Sequence, residues 1–118
     1  MAVPLCSTLP RVSLCSALPT PLDETVALSD ELNVRILIKR EDLTGLATGG
    51  NKIRNLEFVF GDLQAKSCDA VIATAGVQSN LCRSTAAAAS RTGIPCVLLL
   101  RGSGQEEIQG NLLLDRLL

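Results

Sequence analysis

The stretch AVIATAGVQSNLCRSTAAAASRTGIPCVLLL, residues 70–100, decides the fold class. Ala70 to Thr74 reads as a short buried strand, rich in apolar and β-branched side chains. AGVQS, residues 75–79, is a turn, and a helix follows from Asn80 to Thr92. The run Ala86 to Ala89 offers only small side chains, which lets that helix lie close on a sheet. Gly93 followed by Pro95 is a helix stop, and Cys96 to Leu100 is a second buried strand. Upstream, a loop over 41–50 ends in Thr48-Gly49-Gly50. A helix begins near Asn51, its N-cap, with Ile53, Leu56, Phe60 and Leu63 at helical spacing and Val59 on the same flank. Val34 to Lys39 alternates as a strand, Leu37 pointing to a partly buried second face, and a short helix precedes it from Asp23 to Leu32. Residues 1–33 are punctuated by Pro4, Pro10, Pro19 and Pro21. Downstream, a loop over 101–110 leads into a helix near Asn111. From residue 34 the order is therefore strand, helix, strand, helix, strand, helix. That alternation predicts an open α/β sheet with mainly parallel strands.

Composition narrows the chemistry. The 118 residues carry 11 Lys plus Arg against 12 Asp plus Glu and no His. Without His, the Ser-His-Asp, Cys-His and His-metal arrangements are excluded. A net charge of -1 and the lack of Trp and Tyr leave neither a basic footprint nor a base-stacking platform, so no nucleic-acid partner is expected. The five Cys, at 6, 15, 68, 82 and 96, are odd in number and form no CxxC pair. That pattern predicts reduced, mostly buried thiols in a cytoplasmic protein, with no metal site. The start, MAVPLCSTLP, lacks a basic n-region. The longest apolar run, Ile94 to Leu100, is too short to span a bilayer, so no membrane partner is expected.

Two nucleotide motifs fail. In Gly45-Leu46-Ala47-Thr48-Gly49-Gly50-Asn51-Lys52, Asn51 displaces the P-loop Lys and Ile53 stands where Ser or Thr would bind magnesium. Gly102-Ser103-Gly104 opens like a dinucleotide fingerprint. The third Gly position holds Glu107, and Glu106 and Glu107 would repel a pyrophosphate.

Two helix starts carry the remaining chemistry. Lys52 sits at the first helical position after Gly49-Gly50-Asn51. Helix-start amides carry partial positive charge and disfavour a protonated amine there, and only the neutral amine attacks a carbonyl. The two glycines let a bulky ligand approach the backbone. Residue chemistry alone still favours a solvated Lys after a glycine turn. Gln78-Ser79-Asn80 occupies the carboxyl end of a strand, where open α/β sheets bind ligands. The helix amides, the Ser79 hydroxyl and the Asn80 amide could hold a carboxylate or phenolate oxygen. Capping by Ser79 would account for one of these polar residues but not three.

The blocks KREDLTGLATGGNKIRNLEF, TAGVQSN, AAAASRTGIPCVLLLRG and GNLLLDRLL, with LPRVSLCSALPTPL upstream, resemble the pyridoxal-phosphate enzymes of the D-cysteine desulfhydrase and 1-aminocyclopropane-1-carboxylate deaminase family. The likeness runs through essentially all 118 residues and reverses the reading of Lys52. It implies the tryptophan-synthase β-like fold (fold type II), with residues 1–45 starting the larger domain and 46–118 forming an incomplete smaller one. It implies that Lys52 forms the Schiff base with pyridoxal 5'-phosphate and then moves the substrate α-proton. Asn80 would hydrogen-bond the cofactor ring oxygen and also face the substrate, and Ser79 would act catalytically against the substrate, holding its carboxylate or polarising the reacting group. Asn51 and Gln78 would support the cofactor and substrate respectively, and Arg54 would serve the cofactor phosphate. Two positions depart from the pattern. Leu81 stands where members often have His or Gln, and Asn55 where they often have Lys.

The implied activity is β-elimination from a small amino acid such as D-cysteine, giving pyruvate, ammonia and sulfide, in a homodimer. The alternatives are 1-aminocyclopropane-1-carboxylate deamination and a non-catalytic α/β fragment or binding module. The stripe Leu112, Leu113, Leu114, Leu117 and Leu118 needs a partner surface. It leads to the expectation of a truncated chain, inactive in isolation.

Overall fold

The computed structural model describes residues 8–118; Pro4 and Cys6 lie outside them. Strand β1 (Leu22–Glu24) is followed by helix α1 (Val26–Leu32) and strand β2 (Leu37–Lys39). The two strands pair antiparallel, Leu22 opposite Lys39. The helix expected from Asp23 starts later because residues 22–24 belong to this ladder. The strand expected from Val34 is shortened for a related reason. The Val34 N–H donates to the Ser29 carbonyl and the Ile36 N–H to Ser29 Oγ, so the first half of the run closes the end of α1. Leu37 and Ile38 are exposed, which corrects the expected second buried face. This hairpin stands apart from the parallel sheet.

The α/β alternation begins one element later. Helix α2 (Lys52–Ala65) leads to strand β3 (Val71–Gly76), helix α3 (Asn80–Thr92), strand β4 (Cys96–Arg101) and helix α4 (Gly110–Leu117). β3 and β4 pair in parallel from Val71–Cys96 to Gly76–Arg101. Neither strand is fully buried, contrary to expectation. α3 packs on one face of the pair, while Ile72 and Leu99 on the other are 67% and 57% exposed. The small residues do what their size permits. Cys82 to Ala89 are buried without a break, because α3 touches α2, α4 and both strands at once. Gly93 ends α3 at φ 71°. Of the leucine stripe, Leu112 is buried while Leu113, Leu117 and Leu118 are exposed.

The aliphatic core joins Leu14, Leu46, Ile53, Leu56 and Phe60 to Ala87–Ala89 of α3. Phe60 is fully buried, a burial that stabilises by roughly 1.5–3 kcal/mol. Val59 is exposed, off the stripe where periodicity placed it. Gly61 lets the segment before Leu14 lie against α2, since a Cβ there would sit 2.4 Å from the Pro10 carbonyl. That segment is fixed by a buried carboxylate. Glu57 Oε1 accepts the N–H of Leu14 (2.9 Å) and of Cys15 (2.8 Å). Its Oε2 accepts the Arg11 Nε–H at 2.8 Å and a second Arg11 hydrogen bond from Nη2. Burial pushes the Glu57 carboxyl up, but the Cys15 N–H, Arg11 and the Leu14 N–H outweigh it, holding the group below its usual range. Burial, with Glu57 beside it, pushes the Cys15 thiol up to about 11. Cys15 and Cys82 are buried as expected, and Cys68 is exposed.

Candidate active site

The two helix starts singled out in the sequence meet. Lys52 and Asn80 line one cavity of about 240 Å³, together with Thr48, Gly49, Gly50 and Arg83. The loop before α2 is shaped by backbone that side chains tolerate poorly. Gly49 and Gly50 take φ 71° and 116°, and a Cβ on Gly49 would sit 1.9 Å from the Asp42 carbonyl oxygen. Asn51 also lines the cavity. It precedes α2 with helical dihedrals and makes no side-chain cap, which corrects its assignment as a capping residue. The loop is closed instead by backbone, with the Gly50 N–H on the Glu41 carbonyl and the Ile53 N–H on that of Gly50. Lys52 makes no ion pair among the described residues. Asp42, at the cavity wall, is bound by Arg40, whose hydrogen bond holds its carboxyl below the usual range.

The α3 start is wired differently. Ser79 Oγ accepts the Cys82 N–H at 3.2 Å, so this residue is a true N-cap and half-buried. Gln78 reaches across to α4, where its Oε1 accepts the Asn111 N–H (2.9 Å) and its Nε2 donates to the Gln109 carbonyl (3.1 Å). Asn80 is exposed at the cavity, its Oδ1 accepting from Asn111 Nδ2 at 2.9 Å.

Arg54 does not join this group. Residues two apart on a helix are separated by about 200° around its axis, so Lys52 and Arg54 face opposite ways. Arg54 lines a separate, more open cleft of about 800 Å³. There its Nε pairs with Glu41 Oε2 at 2.5 Å and its Nη2 donates to Thr20 Oγ1 at 3.1 Å. Glu41 is held below its usual range by that guanidinium. The structure thus brings together Lys52, Asn51 and Asn80, sets Ser79 and Gln78 to anchoring two helices, and separates Arg54.

Residue chemistry had passed over Arg83. The residue is 8% exposed, and its guanidinium donates to Thr48 Oγ1, to the Gly49 carbonyl at 3.0 Å and to Asn111 Oδ1 at 3.4 Å. It ties the glycine loop to α3 and α4. A spacing signal was present, since Arg83 lies three residues after Asn80 and so on the same helix face. Two buried polar atoms, Arg83 Nε and Ser84 Oγ, have no hydrogen-bond partner among the described residues. The Gly102–Gly104 loop is self-satisfied. Glu106 accepts the N–H groups of Ser103 and Gly104, which hold its carboxyl below the usual range. No helix among the described residues is long and apolar enough to cross a membrane, and they contain no cluster of three or more metal-ligating side chains.

Comparison with known proteins bears on this geometry. The family model described as "Pyridoxal-phosphate dependent enzyme" matches residues 16–118. The "Putative 1-aminocyclopropane-1-carboxylate deaminase" of Pyrococcus abyssi is 46% identical over 114 residues, 97% of this chain and 34% of that protein. The D-cysteine desulfhydrase of Klebsiella pneumoniae strain 342 is 46% identical over 112 residues, 90% of this chain and 34% of that protein. A solved structure described as an "ACC deaminase homologue" superposes with a TM-score of 0.88 at 43% identity, over 95% of this chain and 34% of its own. The chain spans about a third of the length of the curated relatives it matches. On the family match and on the fold, the chain belongs to the pyridoxal-phosphate-dependent enzymes, with the α/β architecture of fold type II.

Proposed function

We propose that this chain supplies the covalent anchor and one wall of the cofactor site in a lyase that acts on a small amino acid. One observation carries the reading. The Lys52 amine and the Asn80 amide, from two different helix starts, line the same cavity. The residues fit the cofactor. Beside an amine that makes no ion pair among the described residues stand two glycines, which leave room for a bulky ligand, and the Asn80 amide, a donor for a ligand acceptor.

Pyridoxal 5'-phosphate, when bound, supplies an aldehyde for amines and a ring that accepts the electron pair released at the substrate α-carbon. Lys52 Nζ would hold that aldehyde, and its free amine would take the substrate α-proton. Asn80 would donate to the oxygen on the cofactor ring. Ser79, fixed by its capping bond, lies against the substrate carboxylate, and Gln78 keeps that turn in place. Asn51, which also lines the cavity, would flank the cofactor. A phosphate contact from Arg54 would require it to leave Glu41. The division near residue 45, with the cofactor between two domains, belongs to the same proposal, as does a homodimer.

The favoured reaction is β-elimination from D-cysteine. The α-proton passes to Lys52, the β-carbon–sulfur bond breaks, and one water converts the remainder to pyruvate and ammonia with no redox partner. The identity to the Pyrococcus relative and the superposition on the deaminase homologue favour a second reading, opening of 1-aminocyclopropane-1-carboxylate. Full-length protein is assayed for sulfide from D-cysteine and for ammonia from the cyclopropane substrate. Sulfide release lost in Lys52→Ala is the expected result. Ammonia from the cyclopropane substrate alone overturns the first assignment in favour of the second.

A further inference from the structure

We propose that Asn111 is a positioning residue, which orients the Asn80 amide so that its NH2 end, and not its oxygen, meets the ligand. The inference rests on the reading of Asn80 as a cofactor contact, and it begins from hydrogen bonds whose polarity is unambiguous. The Gln78 backbone carbonyl can only accept, and the Arg83 guanidinium can only donate. Asn111 stands between them, with Nδ2 at 2.8 Å from Gln78 O and Oδ1 at 3.4 Å from Arg83 Nη1. Its amide therefore has one orientation. The same Nδ2 lies 2.9 Å from the Asn80 side chain, so the Asn80 atom facing it has to be an acceptor, Oδ1. The end of Asn80 left for a ligand is a donor. A ligand atom opposite it has to be an acceptor, as a phenolate oxygen carried on a pyridine ring is.

Asn111 is itself held on two sides. Gln78 Oε1 accepts its backbone N–H, and Gly110 before it turns at φ 56°. A Cβ on Gly110 would meet Gln78 Oε1 at 2.6 Å, so a side chain at 110 would break the support. Arg83 links the same set to Thr48 and Gly49. One polar network thus runs from the Lys52 loop through Arg83 and Asn111 to Asn80.

The test is a double-mutant cycle on the full-length protein, with pyridoxal 5'-phosphate as probe and its apparent Kd read by absorbance titration. Thermal melts of each variant report folding separately. Asn111→Ala should weaken binding about tenfold in the wild-type background, the scale of one hydrogen bond to a charged group. In the Asn80→Ala background the same change should cost less than about twofold, because the residue it positions is gone. Asn111→Asp keeps the shape but sets a carboxylate against Asn80 Oδ1, and should weaken binding at least as much as Ala. Should Asn111→Ala fail to fold, Asn111→Asp carries the same cycle. Equal losses in both backgrounds, or no loss on changing Asn111 while Asn80→Ala does lose affinity, would overturn the positioning role and leave the Asn80 contact standing. Wild-type affinity in Asn80→Ala would overturn the contact and the positioning role together.

Discussion

α2 and α3 are both helices that begin at the cavity, yet they are secured at opposite places. α3 is fastened at its start, where Ser79 caps it and Asn80 and Gln78 are bonded to Asn111. α2 starts without a side-chain cap, behind two glycines of positive φ, and is fastened at its second turn by Glu57. The difference separates two tasks. The α3 start presents fixed polar groups. The α2 start leaves its first residue, Lys52, with no side-chain partner among the described residues.

The contrast can be broken at its strongest point first. Glu57→Ala should lower folding stability by about 2–5 kcal/mol, since it leaves the buried Leu14 and Cys15 N–H groups without their acceptor; chemical denaturation of the full-length protein measures it. The same carboxylate predicts an acid limit. Its folded pKa lies below the ordinary value of 4.5. Its contribution is therefore complete above that value and disappears as pH falls through the lower folded pKa. Wild-type stability should fall with acidification in that window, and Glu57→Gln should flatten the fall.

Gly49→Ala comes next. A positive φ and a Cβ 1.9 Å from a carbonyl oxygen should cost about 1–3 kcal/mol and weaken cofactor binding, because the loop carrying Lys52 must shift. The smallest effects give the sharpest comparison. Ser79→Ala should cost about 1 kcal/mol, whereas Asn51→Ala, with no capping bond to lose, should stay within about 0.5 kcal/mol. Equal costs at the two positions would erase the distinction between the helix starts.

Where the sequence was legible, the determinants were local. The bounds Asn80–Thr92 follow from Ser79 before the helix and Gly93 after it, each acting within a turn of itself. The parallel βαβ order follows from apolar runs flanking that helix. The errors lie where distant residues decide. Val34 to Ile36 has strand periodicity, but Ser29 claims its backbone groups. Glu57 reads as one more polar residue in an amphipathic helix, because the amides that explain its burial are 42 and 43 residues away. Asn111 belongs to a block visible in the sequence, but its work depends on Gln78 and Asn80 at the end of a different strand.

The central claim is that Lys52 holds the cofactor. Full-length protein loaded with pyridoxal 5'-phosphate is reduced with borohydride, digested and mapped by mass spectrometry. The pyridoxyl mass should fall on the peptide containing Lys52 and vanish in Lys52→Ala; stoichiometric label on another lysine, or label retained in Lys52→Ala, would contradict the account.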